Sequence, residues 1–219
     1  MTSRSTFPQR LTEIDDLTRP DHTYLAPDDR CYFLGEYTAR KGFAYSATNN
    51  LVLNFKIGVE HRNSGRWRYK EGAIREAAGA FANAINPEAL GQATLVPIPP
   101  SKARDHPEYD DRMVRMLRAI RPQPPLDIRE LITQRTTTAA AHQSDTRPQP
   151  DDLVQLYMLD QPALQPPPSR IVIFDDVLTT GAHYVAARTV LAAAFPGIEI
   201  IGCFIARRVP DSSDFEAFF

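Results

Sequence analysis

From Ile171 to Phe174 four apolar residues follow one another without a polar break, and the run stops on two acids, Asp175 and Asp176. A run of that kind suits a strand covered on both faces, as in a parallel sheet. Beyond Thr179-Thr180-Gly181 the apolar positions change spacing to Ala182, Val185, Ala186, Thr189, Val190 and Ala193, which is helical. The pattern predicts strand, acidic pair, small-residue turn, helix. Further buried strands are predicted at 93–98 (ATLVPI), 126–134 (LDIRELITQ) and 198–206 (IEIIGCFIA). Between the first two, Met113, Met116, Leu117 and Ile120 form the apolar face of a helix ending before Pro122, with Asp110 and Asp111 at its start complementing the dipole.

The N-terminal half reads differently. Residues 1–30 are polar and proline-broken, an irregular arm. From Cys31 to Val59 the pattern is β-like: CYFLGEYTA, a break at Arg40-Lys41-Gly42, FAYSAT, a turn at Asn49-Asn50, then LVLNFKIGV. A small antiparallel sheet is the expectation. A helix follows with Ile74, Ala77, Ala78, Phe81, Ala84 and Ile85 on its apolar face, stopping at Asn86-Pro87. Its approach, residues 61–75, gathers His61, Arg62, Arg66, Arg68, Lys70 and Arg75 around Trp67 and Tyr69. Such a mixture can stack nucleic acid, but a solvated first helical turn is the favoured reading. Residues 135–153 are polar and long for a connection inside a domain, as functional or disordered segments are, and their place between two sheet strands on the side of the acids argues for function. Residues 161–169 (QPALQPPPS) form a stiff spacer. The terminal DFEAFF is expected to dock on the body or on a second subunit, because free apolar tails are a liability.

Composition narrows the function without naming it. With 25 basic and 27 acidic residues in 219, the net charge of −2 makes no general case for nucleic acid or membrane surfaces. Two distant cysteines, Cys31 and Cys203, make neither a disulfide framework nor a zinc site, as expected of a reducing compartment. No apolar run spans a bilayer and the N-terminus lacks a signal-peptide core, so a soluble, cytoplasmic protein is expected.

The chemistry concentrates at 170–183. Acids at the carboxyl end of a central strand sit where open α/β sheets bind ligands. A small-residue turn leading into a helix offers N–H groups, hydroxyls and a positive dipole end to an anion. Carboxylates for hydroxyls and amides for phosphate together suit a sugar phosphate. A Walker B strand is the other apolar-Asp-Asp reading, but the chain holds no upstream GK[ST] phosphate loop.

IVIFDDVLTTGAH resembles the motif with which type I phosphoribosyltransferases bind phosphoribosyl pyrophosphate (PRPP). The VPIP strand, the arginine-to-glutamine order within 135–147, and FIAR at 204–207 are similar to the ComF (competence protein F) branch over roughly 93–208. The resemblance implies an α/β fold: an open, mostly parallel sheet flanked by helices, with a small N-terminal β-rich hood. The chain would divide into an arm (1–30), hood plus helix (31–90) and α/β core (91–219). It implies that Asp175 and Asp176 hold the ribose hydroxyls, and that Val177, Leu178, Thr179, Thr180, Gly181, Ala182 and His183 shape the PRPP site. His183 stands where the family usually has Thr or Ser. The loop after the first core strand would bind pyrophosphate through Pro100, Ser101, Lys102 and Arg104, although the ComF loop is usually arginine-rich and this chain's runs acidic, with Asp105, Glu108, Asp110 and Asp111. A closing loop would contribute Arg135, His142 and Arg147, His142 as proton donor. Mg²⁺ would come with PRPP, held near Asp175 and Asp176 through substrate or water. The implied activity is phosphoribosyl transfer to a nitrogen of a nucleobase or related amine with release of pyrophosphate. The alternative is a non-catalytic PRPP or nucleotide sensor acting through a protein partner. Related enzymes are commonly dimers, which leaves room for a homodimer. The ComF N-terminal zinc ribbon has no counterpart here.

Overall fold

A computed structural model describes residues 6–120, 123–136 and 148–211. In chain order the elements are β1 (Thr12–Glu13), β2 (Cys31–Thr38), α1 (Ala47–Phe55), α2 (Trp67–Ala84), α3 (Pro87–Gly91), β3 (Thr94–Pro97) and α4 (Arg112–Ile120). There follow β4 (Asp127–Ile128), β5 (Ile132–Gln134), α5 (Pro150–Leu156), β6 (Tyr157–Leu159), β7 (Ile171–Leu178), α6 (Ala182–Ala194) and β8 (Ile200–Val209). Six strands form one sheet in the order β1-β2-β8-β7-β3-β4. All neighbours in it are parallel except the edge strand β1, which is antiparallel to β2. The fold is therefore α/β with a mostly parallel sheet flanked by helices. Among the described residues no helix is long and apolar enough to cross a membrane.

The unbroken apolar run is explained by cover on both faces. Val172 and Phe174 face a layer built with α1, α2 and α4, while Ile171 and Ile173 face one built with α5 and α6. Phe174 is fully buried and meets the edge of Phe81 of α2, ring centroids 5.1 Å apart. Burying a side chain of that size contributes about 1.5–3 kcal/mol.

The expected antiparallel hood over 31–59 does not form. CYFLGEYT is a strand, but it lies inside the main sheet, parallel to β8. Its alternate side chains are buried on both faces, Leu34 in one layer and Cys31 and Phe33 in the other. LVLNF is helical: Leu51, Val52 and Phe55 fall on one buried face, and the Ser46 hydroxyl caps α1 by accepting from Asn49 N–H at 3.0 Å. Asn49, read as a turn residue, is fully buried. Its side chain accepts from Thr38 N–H (3.2 Å) and donates to Thr38 C=O (2.8 Å), closing the end of β2. The single strand expected at 126–134 is also divided. Its first half pairs with β3 at the sheet edge, and its second half pairs antiparallel with β6.

Candidate functional site

The strand order decides where a cleft must open. From β3 the chain crosses through α4 to β4 on one side, and from β7 it crosses through α6 to β8 on the other. The two connections diverge, so the carboxyl ends of β3 and β7 flank a topological switch point, where such sheets hold ligands. A cleft of about 690 Å³ lies there, lined by Asp175, Asp176, Val177, Thr179 and His183 from the β7 side. Pro100, Ser101, Asp110, Asp111 and Arg112 line it from the β3 side, with Lys56 from the end of α1.

Because successive strand residues alternate faces, the two acids live in different surroundings. Asp176 turns toward α1 and α4, where Oδ1 lies 3.1 Å from Lys56 Nζ and Oδ2 2.8 Å from Arg112 Nη2. Burial would raise its pKa, but the two cations outweigh that and hold it well below the usual carboxylate range. Asp175 makes no ion pair among the described residues, and its Oδ1 accepts from Asp176 N–H at 2.8 Å. Burial first, and the Asp176 charge second, push it up from 3.8 to about 7. The pair is thus one firmly ionised carboxylate and one that is reluctant to ionise.

The ion pairs continue inward. Arg112 Nη1 also meets Asp110 Oδ2 at 2.8 Å, and the same oxygen lies 2.7 Å from Lys70 Nζ. Lys70 is fully buried and also donates to the carbonyls of Phe55 (3.0 Å) and Ile57 (2.7 Å). Burial lowers its pKa, against the opposing pull of Asp110. It is therefore not a residue of a solvated helical turn, as the basic 61–75 stretch suggested. It ties α2 to the end of α1 and to the loop before α4.

The turn after β7 matches its small-residue sequence. Gly181 has φ +88° and caps α6, a backbone that L side chains rarely adopt. A Cβ there would also stand 2.9 Å from Leu25 of the N-terminal arm. Only Val177, Thr179 and His183 of the predicted 177–183 set line the cleft; Leu178 and Ala182 are core residues. The His183 Nδ1 hydrogen-bonds to the Tyr157 hydroxyl at 2.8 Å, and burial pushes its pKa down to about 4, so the ring is neutral near pH 7.

The cations predicted from the loop after β3 are engaged elsewhere. Arg104 pairs with Glu130 (3.2 Å) and Asp160 (3.0 Å), and Lys102 lies 3.5 Å from Glu108. Neither lines the cleft, whereas their neighbours Pro100 and Ser101 do. Arg135 is exposed and does not line it either. His142, Arg147 and the DFEAFF terminus lie outside the described residues. Lys56, Arg112 and Tyr157 escaped the sequence reading. Arg112 directly follows the acidic pair Asp110-Asp111 and could have been noticed; Lys56 sat in a segment read as a strand and carried no signal. Comparison of the chain with protein-family models and with curated proteins returned no match.

Proposed function

We propose that the protein binds Mg-PRPP in the cleft at the ends of β3 and β7 and transfers the phosphoribosyl group to a nitrogen of a nucleobase or related amine. One observation carries the reading: an acidic pair and a Thr-Thr-Gly helix cap stand together at a switch point. Carboxylates suit ribose hydroxyls, and helix-cap amides with the Thr179 and Thr180 hydroxyls suit the 5′-phosphate. Lys56 and Arg112 suit the diphosphate, in place of Lys102 and Arg104. In such a displacement positive charge develops on the ribose and negative charge on the departing diphosphate, so orientation and fixed charges do most of the work. Ionised Asp176 suits the first charge, and Lys56 and Arg112 beside it suit the second. The pair Asp175 and Asp176 suits a Mg²⁺ ion held mainly through substrate oxygens and water, because Mg²⁺ keeps several waters and takes only one or two protein carboxylates. When bound, the ion would neutralise diphosphate charge.

Calorimetry with PRPP and Mg²⁺ tests the site. Binding heat is expected from wild type and not from Asp175→Asn/Asp176→Asn; equal heats from both folded proteins overturn the assignment. Release of pyrophosphate on adding nucleobases then tests transfer. A second reading, a PRPP sensor without catalysis, is favoured by the ion pairs that Lys56, Arg112, Lys102 and Arg104 all make with carboxylates of the protein itself. PRPP binding without pyrophosphate release from any base would support it.

A further inference from the structure

The segment before β2 backs the Thr-Thr-Gly turn, and it does so through the turn's carbonyls. His22 is 1 % exposed and its Nδ1 hydrogen-bonds to Thr179 C=O, a group that only accepts, so Nδ1 carries the proton. Tyr24 N–H donates to Thr180 C=O at 2.9 Å. Leu25 fills the space that a side chain at residue 181 would need. The arm is itself braced: Arg19 Nη1 donates to Ala26 C=O at 2.8 Å, Asp29 accepts from Ala26 N–H at 2.8 Å, and Asp21 pairs with buried Arg207 of β8 at 2.8 Å.

In a trans peptide unit the C=O and the following N–H point in opposite directions. Holding Thr179 C=O and Thr180 C=O against the arm therefore turns the N–H groups of Thr180 and Gly181 away from it. Neither N–H donates a hydrogen bond among the described residues. No residue of the arm lines the cleft; Thr179 and His183, which bracket the turn, do, and Thr180 and Gly181 lie between them just behind its wall. We infer that His22 is a positioning residue for anion binding: with the Tyr24 backbone it orients two peptide units so that their amides are presented to a phosphate. This inference rests on the proposed phosphate role of the turn. The ligand class is a phosphomonoester, with ribose 5-phosphate as its simplest probe.

The experiment titrates ribose 5-phosphate and, separately, magnesium pyrophosphate into wild type, His22→Leu and His22→Asn, following backbone amides by NMR. The Asn amide can donate from the Nδ1 position, so it serves as the conservative rescue. Expected are shifts of the Thr180 and Gly181 amides on adding ribose 5-phosphate to wild type. Affinity should fall at least about fivefold in His22→Leu, the equivalent of one hydrogen bond of about 1 kcal/mol, and return to within about twofold in His22→Asn. Pyrophosphate affinity should stay the same in all three. If wild type binds ribose 5-phosphate and both folded variants bind it equally well, the positioning role is overturned while the site stands. If wild type itself fails to bind it, the phosphate role of the turn falls, and this inference with it. Should His22→Leu not fold, His22→Phe, which keeps a ring but has no donor, takes its place: an unchanged ribose 5-phosphate affinity in folded His22→Phe overturns the inference.

Discussion

The two connections that leave the switch point solve opposite problems with their polar groups. After β3, Lys102, Arg104, Asp110 and Arg112 all face opposite charges of the protein itself. After β7, the turn carries no formal charge between Asp176 and His183, and two of its amides have no partner among the described residues. The first connection is internally paired: Asp110 and Arg112 tie the start of α4 to Lys70 of α2 and to Asp176 of β7, while Lys102 and Arg104 pair with Glu108, Glu130 and Asp160. The second is left unsatisfied on one side by an arm that satisfies it on the other. Equivalent places on one sheet edge thus need not be equivalent sites, and charge count alone is a poor guide to which is which.

The difference can be broken first at Lys70. Lys70→Ala should lower stability by about 3 kcal/mol, since it strips a buried donor from Phe55 and Ile57 C=O and weakens the charge network. Urea denaturation reads this; a loss under about 1 kcal/mol would reduce the network to surface ion pairs. Next comes Gly181→Ala, which forces a Cβ into the left-handed region and against Leu25. Roughly 1–3 kcal/mol of destabilisation is expected, visible as a shifted urea midpoint, and its absence would show the arm to be free to move aside.

A smaller effect separates the cations. Lys56→Met should weaken PRPP binding about tenfold, as expected for one charge-assisted contact, while Arg104→Ala leaves it within about twofold. Calorimetry on both decides, and the reverse ranking would return the diphosphate to the loop after β3. Smallest is a pH effect at Asp175. Its folded pKa is raised from 3.8 to about 7 by burial and by Asp176. The carboxyl therefore contributes fully to stability below its unfolded value, and that contribution is lost as pH rises toward the folded value. Asp175→Asn should accordingly gain on wild type between about pH 4 and pH 7, with urea midpoints as the measure. A difference that stays constant over that range would mean Asp175 ionises freely.

Where one surface is buried on both sides, pattern translates directly into structure, and the strands at β3, β7 and β8 with the α6 helix were legible for that reason. The acidic pair and the Thr-Thr-Gly turn were equally plain, since both are contiguous. Residues 47–55 show where this stops. Their short apolar run is compatible with strand or helix, and the decision came from the Ser46 cap and from packing against α2. Asn49 reads as a turn residue until its side chain is seen bonded to Thr38.

What the sequence determined by itself is the local grammar: a doubly covered strand, two acids at its end, a glycine turn and a helix, because each depends on neighbours a few residues away. What only the tertiary structure decided is the company those groups keep. Lys56, Arg112 and His22 lie 120, 64 and 157 residues from Asp176 or Thr179, and nothing local marks them as partners. Charge and hydrogen-bond energies depend on distance in space and on exclusion of water, and the fold sets both.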